Sequence, residues 1–184
     1  MKKLPKAHAM DIFLQPGEFY FGDHFTRIRT ILGSCVSITM WHPHRRIGGM
    51  CHYMLPSRGT KAGKRLDGRY ADEALQLFLH EICAAGTWPE EYQVKLFGGG
   101  SMFRTPGKEA QAPKKTPGGD ADCRDVPCRN RQIAYQLIQH YGFTLTAEHL
   151  GGSGHRQLMF DIANGHAWVR QNPIATSCTV GTSS

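Results

Sequence analysis

A thiol and an imidazole, Cys35 and His52, stand where they could act together as nucleophile and base. Cys35 closes the stretch Thr30-Ile-Leu-Gly-Ser-Cys35, and His52 follows seventeen residues later. Between them His42-Pro43-His44-Arg45 reads as a turn. Val36, Ile38 and Met40 alternate with polar residues before it, and the segment Ile47 to Leu55 follows it. An antiparallel hairpin centred on Pro43-His44 pairs residues whose numbers sum to 87, so Trp41 faces Arg46 and Cys35 faces His52. Directly opposed side chains share a face, with Cβ atoms about 4.5–5.5 Å apart. The Gly48-Gly49 pair predicts either a bulge in this register or a close backbone approach.

The chemistry of such a pair is acyl transfer. A free thiol has a pKa of about 8.5 and is mostly protonated at neutral pH. An adjacent imidazole takes that proton, and as imidazolium it can protonate a leaving amine. A third polar group orients the ring in triads of this kind, and Thr30, on the preceding strand, is the nearest candidate. Backbone N–H groups around Gly33 and Ser34 are candidates for an oxyanion hole. Against this stands the ordinary role of a cysteine in an apolar strand, which is packing, and Cys51 and Cys83 read that way. His42 and His44 flank a turn; His149, His155 and His166 lack a repeated metal-ligand spacing. Gly98-Gly99-Gly100 and Gly151-Gly152-Ser153-Gly154 give neither GxGxxG nor a Walker lysine, and read as a strand exit near the site and a turn.

The elements that must position these residues are short. The chain has 184 residues, 40% hydrophobic and 20% charged, which suits one compact domain, expected over 1–171, and excludes a wholly disordered chain. Period-2 alternation predicts strands over Thr26–Leu32, Val36–Trp41 and around Leu158-Phe160-Ile162; a segment Ile47–Leu55 follows the turn, short strands Gln93–Phe97 and Phe143–Glu148 follow the helices, and Asn164-Gly165 turns into His166–Arg170. Helical spacing predicts one helix from about Tyr70 to Ala85 and another from Arg131 to Tyr141 with Asn130 as its N-cap. The segment 104–128, rich in Pro, Gly and Lys, reads as a flexible insertion, and 172–184 as a tail. The fold class expected is α/β, with mixed, largely antiparallel sheets and two main helices.

No apolar run approaches the roughly 20 residues that span a bilayer. The basic start MKKLPKAHAM develops no signal-peptide core, so the expected location is the cytoplasm and the six cysteines are expected to be reduced. Cys123 and Cys128 lack the second close pair a zinc site needs. The 22 Lys+Arg against 15 Asp+Glu give a net charge of +7, but the basic residues are scattered, which favours a solvated surface or an acidic protein partner over nucleic acid.

The residues from Leu32 to Pro56, LGSCVSITMWHPHRRIGGMCHYMLP, closely resemble the signature of the CheD family, the chemoreceptor glutamine deamidases. Further blocks follow in the family's order: Tyr70-Ala71-Asp72 opening a helix, KLFGGGSMF from Lys95 to Phe103, Arg129-Asn130 before the second helix, then Glu148-His-Leu-Gly-Gly152 with Gly154-His-Arg156. The resemblance spans roughly residues 15 to 170. It implies an α/β/β sandwich related in architecture to the deamidase domain of cytotoxic necrotizing factor toxins. It also implies Cys35 as nucleophile, His52 as general base, an upstream threonine matched here by Thr30, and no metal or organic cofactor. The implied partners are methyl-accepting chemotaxis receptors and a CheC-type phosphatase, with receptor binding as an alternative main role and methylesterase activity as a side reaction.

Overall fold

The computed structural model describes residues 10–59, 65–102 and 123–172. Nine strands and two helices follow in the order β1 (Met10–Phe13), β2 (Phe19–Asp23), β3 (Thr26–Leu32), β4 (Val36–His42), β5 (Ile47–Tyr53), α1 (Ala71–Ala84), β6 (Gln93–Gly98), α2 (Val126–His140), β7 (Thr144–Leu150), β8 (His155–Asp161) and β9 (His166–Asn172). One sheet has the order β1-β3-β8-β9 and the other β2-β5-β4-β6-β7. Only β1/β3 and β6/β7 run parallel; the other pairs are antiparallel.

The alternation along β4 and β5 builds three layers. Val36, Ile38 and Met40 of β4, with Cys51 and Tyr53 of β5, pack against Ala74, Leu75, Phe78 and Ile82 of α1 and Ala134 and Ile138 of α2. The opposite face of the same sheet supplies Met50 and Phe97 to a second core with Ile28 and Leu32 of β3 and Leu158 and Phe160 of β8. The result is a helix layer, a five-stranded sheet and a four-stranded sheet, the α/β/β sandwich expected. Each fully buried Leu, Ile or Phe in these cores contributes about 1.5–3 kcal/mol. Phe78 also meets Phe19 edge to face at 4.7 Å between ring centroids, tying β2 to the helix layer.

α1 ends as its sequence predicts. Gly86, at φ +64°, follows the cap, and the Gly86 and Thr87 N–H groups return to the Cys83 and Ile82 carbonyls. α2 differs from expectation. It begins at Val126 rather than Arg131, capped by Asp125, whose carboxylate accepts from the Cys128 N–H at 2.8 Å. Pro127 is compatible because the first turn needs no donor from it. Thus Arg129 and Asn130 lie inside α2, and residues 126–128 are helix rather than insertion; 103–122 fall outside the described residues. Cys123 and Cys128 are joined in a disulfide, not reduced: the capped turn brings their Cα atoms to 5.5 Å, within the usual bridging range. Asn172 belongs to β9, and the expected tail 173–184 lies outside the described residues.

Candidate active site

The hairpin register differs from the one expected. His42 pairs with Ile47 and Ser37 with His52, so paired numbers sum to 89 rather than 87. The turn holds four residues instead of two. Arg46, at φ +52°, closes it by donating its N–H to the His42 carbonyl at 2.8 Å. The ladder has no bulge: Gly48 and Gly49 instead admit close neighbours, since a Cβ on either would come within 2.1 Å of the Met40 or Tyr20 carbonyl oxygen. Direct opposition of Cys35 and His52 is therefore lost. A slip of two residues, unlike a slip of one, keeps both side chains on the same face. Cys35 lies in the bend just before β4, beyond the last ladder pair Val36–Tyr53, and packs against the core between the two sheets.

That face is the one turned toward the four-stranded sheet. Thr30, on β3, reaches His52 across the two layers: its Oγ1 lies 2.8 Å from His52 Nδ1. The same hydroxyl donates to the Leu14 carbonyl at 2.8 Å. A hydroxyl has one hydrogen, and it is used on Leu14, so the ring must donate from Nδ1–H to Thr30. This fixes the tautomer and leaves the lone pair on Nε2. His52 is 2% exposed, and Nε2 has no hydrogen-bond partner among the described residues. The His52 backbone is held on its outer side, donating to the Glu18 carbonyl at 3.0 Å and accepting from the Gly17 N–H at 2.7 Å.

The loop that carries Cys35 is held by its carbonyls. Gly33 O accepts from the Gly100 N–H at 2.9 Å, Ser34 O from Asn130 Nδ2 at 3.3 Å, and Cys35 O from the Gly99 N–H at 2.7 Å. Gly98 and Gly99 take φ values of +111° and +61°, and a Cβ on Gly98 would sit 2.2 Å from the Cys35 carbonyl oxygen. Only glycine lets β6 leave the sheet this close to the loop. With three successive carbonyls tied inward, the Ser34 N–H has no backbone acceptor among the described residues.

Burial governs the charge states. It pushes the His52 imidazole down to about 4, against smaller opposing effects of the Leu14 carbonyl and the Glu18 carboxylate. It raises the half-buried Cys35 thiol above its ordinary value, partly offset by hydrogen bonds from the Ser34 hydroxyl and the Cys35 N–H. At neutral pH the pair therefore rests as thiol and neutral imidazole. Among the described residues no three His, Cys, Asp or Glu side chains gather as a metal-binding group, and no helix is long and apolar enough to cross a membrane.

Three residues here escape a reading by local pattern. Asn130, completely buried, ties Ser34 and Met54 together by donating to both carbonyls, and its own carbonyl accepts from the Tyr53 hydroxyl at 2.6 Å. Arg156, also completely buried, donates Nη1 to the Gly98 and His149 carbonyls, each at 2.7 Å, and Nη2 to the Gly151 carbonyl. Arg131 donates Nη1 to the Gly99 carbonyl. Asn130 and Arg156 fall within blocks that resemble the CheD signature, but nothing in their local spacing signals these long-range contacts.

A family model described as CheD chemotactic sensory transduction matches residues 54–171. The chain is 49% identical over 160 residues to the probable chemoreceptor glutamine deamidase CheD 3 of Dechloromonas aromatica (strain RCB), covering 86% of each chain. It is 48% identical over 164 residues to the probable chemoreceptor glutamine deamidase CheD of Pseudomonas savastanoi pv. phaseolicola (strain 1448A / Race 6), covering 89% of this chain and 86% of the relative. A more distant relative, the probable chemoreceptor glutamine deamidase CheD 1 of Leptospira interrogans, is 39% identical over 166 residues. The family-model match opens after His52, but a match of 160 residues in a chain of 184 leaves too few at either end to omit Thr30, Cys35 or His52. The chain belongs to the CheD family.

Proposed function

We propose that this protein is a chemoreceptor glutamine deamidase, in which Cys35 is the nucleophile, His52 the general base and acid, and Thr30 the residue that orients the imidazole. The observation that carries the reading is the Leu14–Thr30–His52 hydrogen-bond chain, which leaves the unprotonated Nε2 of a buried ring on the face shared with Cys35. The names of the relatives supply the substrate.

The reaction begins from the neutral pair. As the glutamine carbonyl approaches, the thiol proton passes to His52 Nε2 while Sγ bonds to the amide carbon. The oxyanion takes hydrogen bonds from backbone N–H groups of the loop, that of Ser34 first among them. His52 returns its proton to the amide nitrogen, the C–N bond breaks and ammonia leaves a thioester on Cys35. Water then gives a proton to His52 and its hydroxide to the thioester carbonyl. The C–S bond breaks, Sγ recovers the proton, and a glutamate side chain is released. No other reactant is needed. A glutamyl methyl ester would follow the same course with methanol as leaving group.

The test is a cytoplasmic fragment of a cognate receptor incubated with the enzyme and followed for the one-dalton gain of Gln-to-Glu conversion. The wild type converts it and Cys35→Ala does not; undiminished conversion by Cys35→Ala removes Cys35 from the nucleophile role. The partners of this reading are the receptors and, as the family resemblance implies, a CheC-type phosphatase, met in the cytoplasm. A purely binding role toward either would leave signalling intact in Cys35→Ala.

A further inference from the structure

Arg156 presents a physical problem. Its guanidinium is completely buried, and among the described residues it pairs with no carboxylate. Burying a cation without a counter-charge is costly unless strong acceptors replace water. The acceptors are backbone carbonyls, those of Gly98, His149 and Gly151, and Nε is left without any. A second guanidinium, that of Arg131, stands on the next carbonyl along, Gly99, with its stem laid over that glycine: a Cβ there would meet Arg131 Cγ at 2.5 Å.

The two carbonyls belong to successive peptide units, and the N–H ends of those units are the donors that hold the Cys35 loop. Arg156 takes the oxygen of the Gly98–Gly99 peptide, whose N–H donates to Cys35 O. Arg131 takes the oxygen of the Gly99–Gly100 peptide, whose N–H donates to Gly33 O. Gly33 O is in turn one end of the Gly33–Ser34 peptide, and the other end is the Ser34 N–H. A cation on the oxygen of a peptide makes its N–H a stronger donor, and each bond in such a chain strengthens the next.

Taking the deamidase reading as its basis, we propose that Arg131 and Arg156 are positioning residues for the deamidation. They fix the Gly98–Gly100 loop beneath the nucleophile loop, and Arg131 polarises the two-peptide relay that ends at the Ser34 N–H, strengthening the donor that meets the oxyanion. The relay acts only when negative charge develops on the substrate oxygen, so it works on the transition state and not on substrate binding.

The test uses the full chain and a cognate receptor cytoplasmic fragment. Arg131→Met keeps the aliphatic stem over Gly99 and removes the cation. Loss of a whole oxyanion donor costs about 10²–10³ in rate, so weakening one through two peptides predicts a fall in kcat of about tenfold, with KM changed less than about twofold. Arg131→Lys recovers part of the loss. Alkylation of Cys35 by iodoacetamide, read on its own peptide by mass spectrometry, forms no oxyanion and stays at the wild-type rate in Arg131→Met. Arg156→Lys, which keeps charge but loses the fork, lowers kcat while a thermal melt reports that the protein is folded. A kcat for Arg131→Met equal to wild type overturns the proposal. So does an equal fall in deamidation and alkylation, which would make the arginine a mere prop of the loop. A wild-type enzyme that leaves the fragment unconverted contradicts the deamidase reading itself and the relay with it.

Discussion

Two thiols, one in β5 and one just before β4, show how one sheet serves two purposes. Cys51 adjoins His52 in the chain, yet it faces the helix layer among Ile38, Tyr53, Leu75 and Phe78, fully buried. Burial pushes its thiol up to about 12, so it stays protonated at neutral pH. Cys35, at the mouth of β4, packs on the edge of the other core, half-buried, with hydrogen bonds from Ser34 and its own N–H. The contrast teaches that polarity here follows the face of the sheet. The helix side is packed hydrocarbon; the sheet side keeps Thr30, Ser37 and His52 buried and polar. Along β5 a single step in the chain turns from the sulfur of Cys51 on the helix side to the imidazole of His52 on the sheet side.

The comparison can be broken in order of effect. His52→Gln removes the base and lowers kcat by about 10²–10⁴-fold in the receptor-fragment assay. A smaller fall, of about 10–100-fold, is expected for Thr30→Val, which leaves the Leu14 carbonyl and the His52 Nδ1–H buried and unpaired. It should also cost about 1–3 kcal/mol by chemical denaturation. Cys51→Ser reverses the pattern: a hydroxyl among hydrocarbon costs about 1–3 kcal/mol, while deamidation per folded molecule is unchanged. Equal activity losses in Cys51→Ser and Cys35→Ala would erase the distinction between the faces.

The pH dependence of stability sharpens the same comparison. A histidine held neutral binds fewer protons when folded than when unfolded, between its folded value of about 4 and its ordinary 6.5. Stability therefore falls as pH drops through that window, and His52 accounts for roughly 3 kcal/mol of the fall once both states are protonated. His149, which burial also lowers, adds a change of the same sign. Denaturant midpoints from pH 7 to 4 should drop less steeply for His52→Gln than for wild type. Parallel slopes would place the ring in contact with solvent.

Much of this arrangement is written in local pattern. Strand β3 and helix α1 follow from alternation and helical spacing because each buries one face, whereas β4 and β5 are buried on both. β1 and β2 do not follow from pattern: the outer strand Met10–Phe13 is mostly exposed, and Phe19–Asp23 is half-buried up to an exposed Asp23, so neither alternates. The start of α2 was hidden by Val126-Pro127-Cys128, which reads as loop until Asp125 is seen as a cap. Within the site, the four-residue turn at 43–46 shifts the hairpin pairing by two residues, which leaves the face of His52 as alternation predicts it. Asn130, Arg131 and Arg156 act by donating to carbonyls remote in sequence, and such contacts leave no periodicity to read.

The most direct test of the central claim is to quench enzyme and receptor fragment in acid during turnover and weigh the products under denaturing conditions. The expected result is a species equal to enzyme plus fragment less one ammonia, linked through Cys35, sensitive to hydroxylamine and absent in Cys35→Ala. Glutamine conversion that proceeds in Cys35→Ala with no such adduct in the wild type would contradict it.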